Sequence, residues 1–187
     1  TDLTMAGDQT FRNNDSGAAG IEGAFAAGSL IYDVFVAHEK VGLWVNPGTG
    51  LYVAGVRVRD VFADGVHLHG GTTGTRVDQT SVRNTGDDQF ALDSEGGVVT
   101  NSTIAYSTSQ SPIQAGGIGV YGGANNSVLN NAVSDTVAFG GGIKLGTDFG
   151  PGFSGPTTVA GNTLTNAGSY NSNWSSALGA IWVYAAN

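Results

Sequence analysis

The sequence predicts an all-β fold: a right-handed parallel β-helix, in which short strands wind into coils and each coil lies on the one below. Three observations point there. An apolar residue followed five positions later by another recurs at intervals of 22 to 31 residues. No window places apolar residues at the i, i+3, i+4, i+7 spacing of an amphipathic helix. The 31 glycines are scattered among Val, Ile, Thr and Asn without a collagen period, as tight turns between many short strands require. A period of this length marks a repeat architecture whose single units cannot bury their apolar face alone. The 187 residues are therefore read as a single domain, residues 1–187, of about seven coils.

The paired apolar positions are Ala6/Phe11, Ile31/Val36, Val53/Val58, Val77/Val82, Val99/Ile104, Val128/Val133 and Val159/Leu164. Between them runs a second element, small-apolar-any-apolar. Its copies include Val41–Val45, Gly65–Leu68, Gly117–Val120, Gly142–Leu145 and Gly179–Val183, with a weaker one at Gly20–Gly23 and a degenerate one at Asp88–Leu92. Ser102, Asn131 and Asn162 fall at one repeat position, where stacked polar side chains form ladders. Two longer stretches, Leu145–Pro156 and Ala167–Ser176, read as loops that wall a groove on one face.

Strand alternation sends Val66 and Leu68 inward and His67 and His69 outward. The outward column is then Trp44, His67, Phe90, Gly119, Lys144 and Trp182, with Tyr121 and Tyr184 beside it. In the degenerate copy either Phe90 and Leu92 or Gln89 and Ala91 point in. Aromatic rings along a groove suit the apolar faces of sugar rings. Trp44, His67, His69, Tyr121, Lys144 and Trp182 are accordingly the candidate substrate-binding residues. His67 and His69, two apart on one face, are of metal-ligating type, but no third ligand is evident and no metal site is assigned.

The formal net charge of −8 disfavours nucleic acid and anionic membrane as partners. Cysteine is absent, so disulfides and thiolate metal sites are excluded. No apolar run reaches the length of a membrane-spanning helix. The chain opens at Thr1 without an initiator Met or a signal-peptide pattern, and is read as part of a longer, secreted, extracellular protein. A monomer is expected, with no required cofactor; the many Asp and Asn side chains are compatible with a structural calcium ion.

Three carboxylates carry the chemistry. Asp64 and Asp87 lie 23 residues apart, close to the repeat length, so they are expected one above the other on adjacent coils with Asp88 beside them. Crowding three acids raises the pKa of at least one, as a general acid at neutral pH requires. An inverting glycosidase needs such an acid and a second carboxylate to activate water. Asp8, Asp15, Asp33, Asp78, Asp93 and Asp148 lack this alignment and are read as solvated turns. The residues leave open a dextranase-like or polygalacturonase-like hydrolase, a lyase, or a non-catalytic glycan-binding β-helix.

Phe62-Ala63-Asp64-Gly65-Val66 followed by Val82-Arg83-Asn84-Thr85-Gly86-Asp87-Asp88 resembles the catalytic core of glycoside hydrolase family 87, the α-1,3-glucanases (mutanases) and mycodextranases. The likeness extends to Val41-Gly42-Leu43-Trp44, Gly117–Gly123, Gly140-Gly141-Gly142, and Ala167-Gly168-Ser169 with Trp174. It implies a parallel β-helix, inverting hydrolysis of α-glucan, and a catalytic trio at Asp64, Asp87 and Asp88. By analogy with polygalacturonases, Asp87 would be the general acid, and Asp64 and Asp88 would hold and activate the water. The resemblance also predicts a small residue at 89 and an aromatic at 93, where this chain has Gln89 and Asp93.

Overall fold

A computed structural model describes residues 3–12 and 18–185. It is a parallel β-helix with no α-helix among the described residues. Three parallel sheets wrap one core. The front sheet stacks Ala19–Phe25, Val41–Gly48, Val66–Leu68, Phe90–Asp93, Ile118–Tyr121, Ile143–Gly146 and Ile181–Tyr184. The second sheet runs from Leu3–Ala6 to Thr163–Thr165 in seven strands. The third runs from Leu30–Tyr32 to Thr157–Ala160 in six. Complete turns are thus fewer than the seven expected, and the first apolar pair does not form: Met5, not Phe11, lies level with Val36, and Phe11 is exposed.

The core is a set of stacked columns. Ile31, Val53, Val77, Ile104, Val128 and Val159 stack in the third sheet. Val36, Val58, Val82, Ser109, Val133 and Leu164 stack in the second. Leu43, Val66, Phe90, Ile118 and Ile143 stack in the front sheet. Burial of these like-on-like side chains drives the winding. Four internal pairs read from the sequence sit as expected, as does Val159/Leu164. Val99/Ile104 is out of phase by five residues: Ile104 belongs to the third-sheet column, and the residue that completes its pair is the polar Ser109.

Ser109 explains the unexpected Gln89. The front-sheet position before each first inward residue is otherwise Gly42, Gly65, Gly117 and Gly142. A Cβ on Gly65 would lie 2.3 Å from a Val82 methyl, and one on Gly117 would lie 2.4 Å from a Val133 methyl. Where Ser109 replaces valine, Gln89 fills the space. It accepts a hydrogen bond from Ser109 Oγ at 2.6 Å and donates one to the Gln110 carbonyl at 2.6 Å.

The turns are columns too. His38, Ser111, Asp135 and Asn166 follow second-sheet strands and Asp60 and Asn84 stand one residue before the end of theirs, all at positive φ, a conformation Asn and Asp adopt at low cost. The polar ladders are real but differently composed: Ser102 joins Thr75 and Asn126, whereas Ser107 joins Thr80, Asn131 and Asn162. Ala167–Ser176 is not wholly loop, since Ser169–Asn171 pairs antiparallel with Ser176–Leu178.

Candidate active site

Each turn passes from the second sheet to the front sheet through a short corner, and the acids occupy two adjacent corners. Thr85 pairs with Val61 and Phe90 with Val66, so Asp88 falls level with Asp64, and Asp87 lies level with Ala63. This corrects the expected stacking of Asp87 on Asp64. All three nonetheless converge, each offering a carboxylate oxygen within 4.8 Å of the others.

Their environments differ. Asp88 is buried. It accepts hydrogen bonds from Gly116 N at 2.7 Å and Tyr121 OH at 2.5 Å. Burial, then the charges of Asp87 and Asp64, push its pKa up to about 8 against those hydrogen bonds. Asp87 has the most open side chain of the trio bonded here, 31% exposed, and Arg12 Nη1 grips its Oδ2 at 2.6 Å. Burial and the charge of Asp64 still raise its pKa, with Arg12 and the Asp88 amide pulling the other way. Asp64 Oδ2 lies 3.3 Å from His67 Nδ1.

The outward column is Trp44, His67, Ala91, Gly119, Lys144 and Trp182. Phe90 and Leu92 point in, so Phe90 leaves that column and Ala91 takes its place. His67 lies flat on Trp44, with centroids 4.1 Å apart and planes 8° from parallel. Its Nε2 is 3.4 Å from Asp93 Oδ2, and His69 Nδ1 is 3.6 Å from the same oxygen. Burial drags the His67 pKa down, but Asp64 and Asp93 outweigh it and set it at about 10. Burial also raises Tyr121 well above the usual phenol range, with Asp88 adding to it; the hydroxyl is committed to Asp88. Lys144 pairs with Asp148 at 2.7 Å and stands 5.0 Å over the Tyr121 ring and 4.8 Å over Trp182. Trp182 stacks with Tyr184 and meets Trp174 at a tilt of 54°.

These groups surround a cleft of about 400 Å³, lined by Trp44, the three aspartates, Phe139 and Phe149 among others. Phe149 comes from the loop predicted to wall a groove and meets Tyr121 edge-on at 5.0 Å.

Several acids expected in solvated turns have partners. Asp93 is buried, Asp78 meets Arg76 and Tyr52, Asp33 meets Arg57, and Asp148 meets Lys144. Asp8 is exposed, and Asp15 lies outside the described residues. Sequence reasoning missed Arg12, which follows the first strand with no periodic signal. It also missed Asp93, although Asp93 stands level with His69 one turn away and supplies the acidic neighbour that the histidine pair lacked.

The family model for the alpha-1,3-glucanase catalytic domain D2 matches residues 1–187. The catalytic unit of a thermostable glycoside hydrolase family 87 alpha-1,3-glucanase from Streptomyces thermodiastaticus strain HF3-3 aligns with TM-score 0.91 and 33% identity, over 96% of this chain and 34% of that one. The Agl-KA catalytic domain aligns with TM-score 0.83 and 29% identity, over 90% of this chain and 32% of that one. A family 87 alpha-1,3-glucanase catalytic domain in complex with nigerose aligns with TM-score 0.74 and 24% identity, over 97% and 36%, a likeness of fold. Related structures carry alanine in place of one aspartate and hold nigerose or tetrasaccharides. The chain thus spans about a third of the length of these solved catalytic units. No match was found among the curated proteins.

Proposed function

Because the chain belongs to the alpha-1,3-glucanase catalytic domains of glycoside hydrolase family 87, we propose that it contributes the catalytic centre for hydrolysis of α-1,3-glucosidic bonds in an α-glucan of mutan or nigeran type. The observation that carries this is the trio: three carboxylates from two adjacent corners, with oxygens within 4.8 Å, beside an open cleft with aromatic walls. The aspartates replaced by alanine in the glucan-bound relatives are spaced 23 and then 1 residue apart, as are Asp64, Asp87 and Asp88.

The roles follow from access and charge. Asp87, the more open acid with a raised pKa, protonates the glycosidic oxygen as the bond to C1 breaks. Asp64, beside His67, takes a proton from water as the water oxygen bonds to C1 on the opposite face. Asp88, buried and held by Tyr121 and Gly116, stays uncharged at neutral pH and fixes that water alongside Asp64. Arg12 occupies Asp87 in the free chain and must move aside when glucan enters. Trp44 and the ring cluster at Trp182 offer sugar-stacking surfaces.

The close packing gives a retaining route one point in its favour, since an inverting pair is usually parted by about 6.5–9.5 Å and a retaining pair by about 5–5.5 Å. In the inverting reading the water is held by two acids on one side rather than suspended between two. The test is hydrolysis of insoluble α-1,3-glucan followed by NMR, with nigeran, dextran and polygalacturonate in parallel. A new β-anomeric end is expected. An α-anomer would select the retaining route, and absence of any new reducing end would refute the hydrolase reading in favour of glycan binding.

A further inference from the structure

His67 and Asp93 have no part in the chemistry just described, yet they are among the most buried polar groups of the cleft, with 7% and 6% of their surfaces exposed. His67 was expected to bind substrate. Its geometry argues otherwise. Both ring nitrogens face carboxylates of the protein, Nδ1 towards Asp64 Oδ2 at 3.3 Å and Nε2 towards Asp93 Oδ2 at 3.4 Å. One face of the ring is covered by Trp44 at 4.1 Å. Neither nitrogen is left to meet a sugar hydroxyl.

We propose that His67 is a positioning residue: an imidazolium that bridges Asp64 and Asp93 and clamps Asp64 in place as the base. This rests on the hydrolase reading above. The clamp is built from both sides. Asp93 is itself fixed, its Oδ1 accepting a hydrogen bond from Glu95 N at 2.9 Å, and it comes from the turn next to that of His67. A cation lying flat on an indole face is favoured by the ring's electrons. Buried carboxylates at both ends of a neutral ring would be two charges without a counter-ion, a costly arrangement that one proton on His67 relieves.

The proton's influence reaches the acid. The charge on Asp64 is among the causes that raise both Asp87 and Asp88. By fixing where the Asp64 carboxylate stands, His67 fixes its effect on both. The other titratable groups around the ring are His69, which also reaches Asp93, and, lining the same cleft, Asp87, Asp88 and Glu95 with Arg12, Lys40 and Lys144.

The test has a spectroscopic arm and a kinetic arm. In long-range 1H–15N spectra of the labelled chain at pH 8, His67 should be protonated at both ring nitrogens. In His67→Gln, kcat on α-1,3-glucan should fall about tenfold or more with KM little changed. Asp93→Asn should lower kcat in the same way by less, and it carries the kinetic test if His67→Gln does not fold. A neutral His67 at pH 8 overturns the proposal. So does a His67→Gln chain with raised KM and intact kcat, the signature of a substrate ligand. Uptake of one equivalent of Zn2+ that His69→Ala and Asp93→Asn abolish but Asp87→Asn retains would make the cluster a metal site and overturn it too. A doubly protonated His67 in a chain that cleaves no glucan would uphold the clamp and fail the hydrolase reading instead.

Discussion

Exchanging Gln89 and Ser109 for the residues of the neighbouring turns should cost little together and much separately. Gln89→Gly removes two hydrogen bonds of 2.6 Å and strands the Ser109 hydroxyl in the core. It also leaves a space that valine occupies elsewhere. Each lost bond is worth about 1 kcal/mol net, and a large-to-small core change costs about 2–5 kcal/mol, so a loss of about 4 kcal/mol is expected. Ser109→Val alone drives two methyls onto the Gln89 side chain, costing about 1–3 kcal/mol for overpacking, and orphans Gln89 Oε1 for about 1–3 kcal/mol more. The double variant recreates the glycine–valine contact seen at Gly65/Val82 and Gly117/Val133. It should fall within about 1 kcal/mol of the parent, the residue being glycine's backbone entropy. Urea unfolding of the four chains measures this directly. If the double variant loses the sum of the two singles, the sites are uncoupled and the packing argument for Gln89 is wrong.

Other outcomes follow from the same geometry. Asp87→Asn should lower turnover by about 10²–10⁴-fold while circular dichroism and glucan pull-down stay unchanged; parent-like turnover would remove Asp87 as the acid. Arg12→Ala frees Asp87 from a cation that lowers its pKa, so the alkaline limb of kcat/KM should move to higher pH, and an unmoved limb would place Arg12 outside the chemistry. Asp88 titrates near 8 in the folded chain and in the ordinary carboxylate range when unfolded. The folded state therefore binds more protons, and stability from this group is full at low pH and lost as pH rises from about 4 to 8. His67, raised to about 10, adds a loss of the same sign above about 6.5. The melting temperature should fall across that range, with a shallower slope in Asp88→Asn; equal slopes would contradict the assignment. Leu68→Asp buries an unpaired charge in a stacked column and should abolish cooperative melting, and a normal melting curve would overturn the inward phase of Leu68.

The winding was legible because stacking demands like residues on like: Ile31, Val53 and Val77 fall at matching positions and announce the sheet beneath them. The reading slipped where chemistry replaced bulk. Ser109 stands where an apolar residue was sought, so the pair was closed with Val99 instead, and only the hydrogen bond from Gln89 shows why a polar residue is tolerated. The gathering of Asp64, Asp87 and Asp88 was legible from the period alone, but their vertical order was not. That depends on the register across two corners, which a count of 23 against 24 residues leaves balanced. Asp93 was misread because its burial comes from residues 24 and 26 positions earlier, His69 and His67, and no local feature of Leu92-Asp93-Ser94 announces it.

The single outward column along the front sheet has a consequence for how such a cleft changes over generations. Adjacent strands lie about 4.8 Å apart, so the binding surface is ruled like a ladder and lengthens only by whole rungs. A duplication that adds one turn beyond Trp182 moves no atom of the acids, because each turn touches only its neighbours. It adds one new outward residue and two flanking corners to the end of the path. Reach along a polymer and chemistry on its bond are therefore inherited separately: the first by counting turns, the second by the identity of two corners.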